Sequence, residues 1–205
     1  MGRVRIMPDV NVIVDKFLKG IVDIMVIVIV ALFFSIYMCE NKTIVGSSMS
    51  PSLKNQEKVL IDKMIYELTS PKRYDVVVFE NEDADKVYLK RILGLPGETI
   101  QVKEGRLYID GKQSSYNKDL EDIVNPGIAK YEIRLASDEY FVMGDNWNFS
   151  EDSRSETIGK VNKKWIQGKV WFRVAPFQNI GFIFYKKNEM AKKRRRKTMP
   201  FLILS

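Results

Sequence analysis

The chain has 205 residues, of which 45% are hydrophobic and 11% aromatic, a composition typical of a folded domain and not of a disordered chain. It has one cysteine and no histidine, which excludes an internal disulfide and a Ser-His-Asp catalytic triad. The lack of histidine also argues against a structural zinc site. We therefore expect no metal and no organic cofactor.

The formal net charge of +7 is concentrated near the C-terminus. Residues 186–197 contain eight Lys and Arg residues and one Glu, so the rest of the chain is neutral overall. The sequence therefore does not indicate a basic nucleic-acid-binding face, and we predict no nucleic-acid partner. We assign 181–205 as a basic tail. It is either a solvated end or, as a hypothesis, a segment that binds anionic lipid headgroups.

An apolar stretch follows a mixed N-terminal segment over residues 1–20. No charged residue occurs from Ile24 to Cys39, and roughly 20 apolar residues are needed to cross a bilayer. We predict one transmembrane helix over 21–39, with a cytoplasmic N-terminus because Lys16 and Lys19 precede the helix. The alternative is a cleaved signal peptide, but the stretch exceeds the usual apolar region of about 7–15 residues and no small-x-small site follows it.

Beyond Glu40 the sequence changes to short segments rich in β-branched and aromatic residues, which predict strands. Asp110-Gly111 is a hairpin-turn signal, and the polar residues that follow it predict a loop-rich excursion. We predict a mainly β domain over 40–180, with 111–135 as a short insertion. The predicted strands are Val59–Asp62, Asp75–Phe79, Val87–Leu93, Thr99–Val102, Leu107–Ile109, Tyr131–Leu135, Glu139–Met143 and Lys169–Val174.

Three polar segments carry the candidate chemistry. The first, Gly46-Ser-Ser-Met-Ser-Pro-Ser-Leu53, offers Ser47 and Ser48 as nucleophiles. A serine hydroxyl needs a base to take its proton, and without histidine that base must be a lysine, a carboxylate or the N-terminal amine. Lys90, in the second segment, is the candidate base because it lies in an otherwise apolar strand, where burial favours the neutral amine. The third segment, Gly144–Arg154, follows a predicted strand directly.

These segments, in this order after one predicted anchor, resemble the bacterial type I signal peptidases, which use a Ser/Lys dyad. The nucleophile segment of that family reads roughly Gly-x-Ser-Met-x-Pro-Thr-Leu, and this chain matches it with Ser52 in place of Thr. The resemblance implies the family's β-rich catalytic fold with a minimal cap insertion at 111–135. The matching segments are Gly46–Leu53, Arg73–Phe79, Tyr88–Gly97, Gly144–Asn146, Ser150–Arg154 and Gly168–Phe177.

The resemblance implies a role for each matched residue of the dyad. Ser48 is the expected nucleophile, and a neutral Lys90 is the expected general base. The Ser48 backbone N–H is the expected oxyanion donor. Gly46 lets the backbone approach a substrate closely, but it cannot supply the serine hydroxyl that some family members place there, so the second donor is unassigned. Ser150 is expected to hydrogen-bond and orient the Lys90 amine.

Other matched residues are expected to support the site or to contact substrate. Arg91 is expected to pair with Asp145, and Asp152 with Arg154, as two ion pairs beneath the site. An ordinary core position is an equal alternative for each candidate groove residue. The candidate lining of the substrate groove is Met49, Leu53, Val76, Val78 and Tyr88.

The third polar segment, Gly144–Arg154, departs from the family between Asn146 and Ser150. The family has Arg-Asp-Asn there, whereas this chain has Trp147-Asn148-Phe149. Either both rings pack inside the domain or, as a hypothesis, they lie at the bilayer surface, where aromatic side chains are favoured.

The resemblance implies a membrane-anchored serine endopeptidase that removes signal peptides from exported preproteins and cleaves after small residues at −3 and −1. Its partners would be preproteins and the lipid bilayer. Its location would be the bacterial cell membrane, with the catalytic domain outside the cytoplasm. One alternative is another Ser/Lys peptidase of the same fold, such as the self-cleaving SOS repressors, whose DNA-binding domain is replaced here by the predicted anchor. The other is a membrane-tethered β-domain that binds partners without catalysis, which only the changed loop at 147–149 favours.

Overall fold

The computed structural model of the protein describes residues 10–80, 86–116 and 121–183. The chain divides into two compact units, Met1–Glu40 and Asn41–Ser205. The predicted basic tail lies outside the described residues from 184 onward. Residues 181–183 are described, and the first two form a strand, so the folded part extends beyond the predicted limit of 180.

The first unit contains a single long helix in its described residues, α1 (Val10–Met38). The predicted span 21–39 falls on this helix, but α1 begins well before residue 21, so part of the predicted segment 1–20 is helical. In the part of the chain that the structure describes, no helix is both long and apolar enough to cross a membrane.

The described residues form twelve strands and a short helix besides α1, which gives a mainly β fold as predicted. The short helix is α2 (Ile65–Leu68). The strands are β1 (Cys39–Thr43), β2 (Lys58–Asp62), β3 (Val76–Glu80), β4 (Val87–Gly94), β5 (Thr99–Lys103), β6 (Arg106–Ile109), β7 (Lys112–Gln113), β8 (Ile133–Arg134), β9 (Glu139–Met143), β10 (Val161–Asn162), β11 (Ile166–Ala175) and β12 (Gly181–Phe182).

The larger sheet has the strand order β1-β2-β11-β3-β4-β9-β10, with β12 also paired to β11. Its central strand β3 reads Val-Val-Val-Phe-Glu, and the first four residues are all buried. A run of apolar residues without alternation is what a strand covered on both faces requires. The antiparallel pairing places Val77 opposite Lys90 in β4 and Arg91 opposite Met143 in β9. This register places β4, which carries the candidate base, beside β9, the strand that leads into Gly144–Arg154.

The smaller sheet has the strand order β7-β6-β5-β8. Asp110 and Gly111 both have positive φ, 49° and 72°, in the turn between β6 and β7, as a two-residue hairpin requires. The hairpin prediction is therefore confirmed. The excursion from the larger sheet begins at Thr99, however, so the predicted insertion of 111–135 starts too late. Strand propensity identified β5 and β6 but could not show which sheet they join.

Candidate active site

The nucleophile segment is a tight turn between β1 and β2. The Ser50 N–H donates to the Ser47 carbonyl at 3.0 Å, and the Leu53 N–H donates to the Met49 carbonyl at 2.9 Å. Met49 and Leu53 are 2% and 0% exposed, so they hold the turn in the core. Ser48, directly before Met49, is half-buried. The segment therefore presents one serine hydroxyl from a turn with fixed backbone bonds.

Lys90 reaches this turn from the middle of β4. Its Nζ donates to the Ser48 Oγ at 2.9 Å, although the two residues are 42 positions apart in the chain. Lys90 is 5% exposed. The structure thus brings together the serine and the lysine that the sequence singled out, at a distance suited to proton transfer.

Burial governs the protonation of Lys90. Desolvation lowers the pKa of the Lys90 amine, because the charged form loses its hydration. The carboxylates of Asp152 and Glu151 oppose this change, and the positive Arg154 reinforces it. The net direction is downward, so a larger share of the amine is neutral near neutral pH than for an exposed lysine. A neutral amine is the form that can accept a proton from Ser48.

Arg91 and Asp145 form the first of the two predicted ion pairs. The Arg91 Nε donates to one Asp145 oxygen at 2.8 Å and the Nη2 donates to the other at 2.7 Å. Both side chains are buried, at 3% and 0% exposure. Burial alone would raise the pKa of Asp145, but the Arg91 charge and hydrogen bonds from Arg91, Ser52 and Tyr116 lower it overall. The pair joins β4 to the segment that follows β9.

Asp152 and Arg154 form the second predicted pair, with contacts of 2.8 and 2.9 Å between the guanidinium and the two carboxylate oxygens. Asp152 also accepts from the Gly144 N–H at 3.1 Å. A side chain at 144 has no room, because an added Cβ would lie 2.3 Å from the Ser150 Oγ and 2.4 Å from the Ser48 carbonyl oxygen. Gly144 therefore allows this loop to pack directly against the nucleophile residue.

Ser150 differs from its expected contact. Its Oγ is buried and has no hydrogen-bond partner in the described part of the chain. The expected hydrogen bond to the Lys90 amine is therefore not present. The Ser150 Oγ nevertheless lies on the same side of Gly144 as the Ser48 carbonyl, so the hydroxyl is beside the nucleophile residue.

Four of the five predicted groove residues lie in the interior. Tyr88 alone is half-buried, and its ring stacks on Phe79 with centroids 5.4 Å apart. The other four are ordinary core residues and offer almost no surface to a substrate. These four residues are Met49, Leu53, Val76 and Val78. They pack in one cluster with Val59 and Ile61.

In the unusual loop Trp147-Asn148-Phe149, one residue packs in the core and another hydrogen-bonds to the insertion. Trp147 is 6% exposed and packs in the core near Tyr116, so the hypothesis that it lies at a bilayer surface is wrong. Phe149 is 74% exposed. The Asn148 Oδ1 accepts from the Val124 N–H at 3.0 Å, and its Nδ2 donates to the Asp122 carbonyl at 3.1 Å. The loop thus joins the insertion to the segment that follows β9.

Sequence reasoning did not assign a role to Asn146. Its backbone N–H donates to the Ser48 carbonyl at 2.9 Å, and its side-chain Nδ2 donates to the Ser47 carbonyl at 3.2 Å. The Gly-Asp-Asn match was the available signal, but it did not say what the amide contacts.

A cleft of about 170 Å³ adjoins Asn146. It is lined by Ser50, Pro51, Glu121, Asp145, Asn146, Trp147 and Asn148.

The described residues hold no cluster of three or more His, Cys, Asp or Glu side chains arranged to bind a metal ion. The candidate site itself consists of a buried lysine hydrogen-bonded to a serine, with two ion pairs beside it.

Comparison with known proteins identifies the family. The family described as "Signal peptidase, peptidase S26" matches residues 17–175. The chain belongs to this family. It is therefore a peptidase, and neither alternative, a self-cleaving repressor or a membrane-tethered β-domain that binds partners without catalysis, is supported.

Two curated relatives, each more than 30% identical, agree with this assignment. The chain is 33% identical over 163 residues to a probable signal peptidase I-2 of Synechocystis sp., covering 76% of this chain and 72% of the relative. It is 36% identical over 146 residues to signal peptidase I U of Bacillus subtilis, covering 67% and 78%. A crystal structure of a signal peptidase I from Enterococcus faecalis V583 has a TM-score of 0.40 and 27% identity, covering 49% of this chain and 97% of that one.

Proposed function

We propose that the chain is a serine endopeptidase that removes N-terminal signal peptides from exported preproteins, with Ser48 as nucleophile and Lys90 as general base. The observation that carries this proposal is the 2.9 Å contact between the Lys90 Nζ and the Ser48 Oγ at a buried position. Family membership and relatives that are named signal peptidase I support the substrate class.

The reaction follows from the dyad. Neutral Lys90 takes the proton of the Ser48 hydroxyl as its oxygen attacks the scissile carbonyl. The oxyanion of the tetrahedral intermediate faces the Ser48 backbone N–H. Lys90 then gives the proton to the leaving amine of the mature protein, and the signal peptide remains on Ser48 as an ester. Lys90 next takes a proton from water, which hydrolyses the ester and regenerates the hydroxyl.

The surrounding residues support this chemistry without taking part in it. Arg91 with Asp145, and Asp152 with Arg154, hold the strand and the loop that flank the dyad. Ser150 remains a proposed orienting group for the amine, because its unpartnered hydroxyl lies against the same glycine as the Ser48 carbonyl.

The substrate is proposed to bind as an extended strand through main-chain hydrogen bonds, with small side chains at −3 and −1 in two shallow pockets. Gly46 supports close approach, since no heavy atom outside its chain neighbours lies within 4 Å of the position of an added Cβ. Tyr88 is the remaining candidate among the predicted groove residues, because it keeps partial exposure.

We also propose that α1 attaches the enzyme to a bilayer, with the catalytic unit outside the cytoplasm. The support is the uncharged sequence from Ile24 to Cys39 and the exposure of α1 side chains such as Ile24 and Ile27, at 64% and 67%. Extraction of membranes with alkaline carbonate tests this proposal. Release of the full chain into the soluble fraction would contradict it.

Mapping the cleavage product tests the function. The purified full chain in detergent is incubated with an exported preprotein, and the new N-terminus is determined by mass spectrometry. We expect one cut after the signal peptide, and loss of that cut when the −1 residue is changed from Ala to Leu. Ser48→Ala should abolish the product, whereas Ser47→Ala, on the exposed neighbour, should retain it. Cleavage at unrelated sites, or cleavage by Ser48→Ala, would contradict the proposal.

A further inference from the structure

A buried carboxylate lies where the nucleophile segment enters β2. Glu57 is 2% exposed. Its Oε1 accepts from the Arg173 Nη1 at 3.1 Å and from the Asn179 Nδ2 at 3.0 Å. Its Oε2 accepts from the Lys54 N–H at 3.1 Å. A buried carboxylate with this many donors fixes the groups around it, because leaving any of its oxygens unpaired is costly.

Arg173 extends this ion pair to the nucleophile segment. It lies in β11, opposite Val59 of β2. One Nη binds Glu57, and the other donates to the Ser52 carbonyl at 2.9 Å. The planar guanidinium can make both bonds at once in fixed directions, which a lysine ammonium cannot match. The C-terminal end of the nucleophile turn is thus held from β11.

Ser52 connects two ion pairs, one buried and one partly buried. Its hydroxyl is among the groups that lower the pKa of Asp145, the partner of Arg91. Its carbonyl accepts from Arg173, the partner of Glu57. The residue that replaces the family's Thr therefore interacts with a member of each ion pair. Its position four residues after the nucleophile places these contacts at the base of the turn.

The other end of the turn is held by the backbone around Glu57. The Ile44 N–H donates to the Glu57 carbonyl at 2.8 Å, and the Gln56 N–H donates back to the Ile44 carbonyl at 2.9 Å. The Gly46 N–H donates to the Asn55 side chain at 3.0 Å. Both ends of the segment that carries the nucleophile are therefore tied to the Glu57 region, one directly and one through Arg173.

We propose that Glu57, Arg173 and Ser52 are positioning residues for Ser48. They do not contact the reacting atoms. They hold the base of the turn so that the Ser48 Oγ stays within hydrogen-bond distance of Lys90. The inference rests on the proposed function, because it is read through peptide cleavage. Misplacement of a reacting group by about 1 Å can lower a rate by about 100-fold, so loss of these contacts has a measurable effect.

The test compares steady-state cleavage of a preprotein by full-length Arg173→Lys, Arg173→Ala and Ser52→Ala with the wild type. We expect kcat to fall about 10- to 100-fold while KM changes by less than about twofold, since a misplaced nucleophile affects the chemical step. The acid limb of the pH–rate profile, which reports Lys90, should not move. Guanidinium ion should restore part of the activity of Arg173→Ala. Lys160→Met, which breaks an exposed ion pair, is the matched control and should keep the wild-type kcat.

The outcomes separate this proposal from the function itself. Wild-type kcat in Arg173→Lys, Arg173→Ala and Ser52→Ala would overturn it. A fall in activity that matches the loss of folded protein in a melting curve, without guanidinium rescue, would also overturn it, because the ion pair would then be only structural. If Arg173→Ala does not fold, Ser52→Ala decides, since it removes one hydroxyl. An inactive wild type would instead refute the proposed function, and this inference with it.

Discussion

The buried ion pair between Arg91 and Asp145 predicts a large effect of substitution on stability. Asp145→Asn removes a carboxylate that accepts two guanidinium bonds of 2.8 and 2.7 Å. The variant leaves an arginine with 3% exposure and no charged partner there. Breaking a buried pair in this way costs about 3–5 kcal/mol, against a total stability of about 5–15 kcal/mol for a typical protein.

This loss is large enough to measure by melting. For a domain of this size, 1 kcal/mol corresponds to about 2–4 °C, so Asp145→Asn should lower Tm by about 6–20 °C. The assay is thermal unfolding of the full chain followed by tryptophan fluorescence. The matched control is Asp122→Asn, whose pair with Arg106 is exposed at 63% and 31% and should contribute at most about 1 kcal/mol.

A double variant distinguishes an uncompensated charge from general disruption. Arg91→Met combined with Asp145→Leu replaces the ion pair by apolar side chains, a change that is often neutral or stabilising. We expect the double variant to recover most of the lost Tm. If Asp145→Asn melts within about 2 °C of the Asp122→Asn control, which corresponds to at most about 1 kcal/mol, the interpretation of Arg91–Asp145 as a buried structural support is wrong.

Three further predictions concern the site. Burial lowers the pKa of Lys90, so kcat/KM should rise with pH along an acid limb whose midpoint lies below the ordinary lysine pKa of about 10.4. Folding stability should fall as pH drops through that lowered pKa. An acid limb with its midpoint at the ordinary lysine pKa would contradict this. Gly144→Ala places a Cβ 2.4 Å from the Ser48 carbonyl oxygen and should lower kcat about 100-fold or more, whereas Gly20→Ala, where nothing lies within 4 Å, should leave it unchanged. Asn148→Ala removes the acceptor for the Val124 N–H and should speed hydrogen exchange of that amide; unchanged exchange would show that the loop does not tether the insertion.

The local parts of the fold could be predicted because they depend on residue type and spacing. β4 was visible as an apolar strand with one lysine inside it, and β9 was predicted with its observed bounds. Two of the shortest strands, β10 and β12, were missed because they have two residues each and show no pattern. The hairpin at Asp110 was predicted from its turn residues, whose backbone requirements are local.

The parts that depend on distant contacts could not be predicted. The contact between Arg173 and Ser52 joins residues 121 positions apart, and nothing in either neighbourhood specifies it. Trp147 looked suitable for a membrane surface, but it is buried because Tyr116 of the insertion packs near it. Leu53 could line a groove or the core by composition alone, and packing decides for the core.

The measurement that tests the dyad most directly is preprotein cleavage by Lys90→Ala beside the wild type and Lys160→Ala, with folding checked by melting. The 2.9 Å contact between the Lys90 Nζ and the Ser48 Oγ predicts that Lys90→Ala loses cleavage by about 100-fold or more, the range of general-base catalysis, while Lys160→Ala cleaves like the wild type. A folded Lys90→Ala that cleaves within about twofold of the wild type, far inside that range, would show that Lys90 is not the base and would contradict the mechanism.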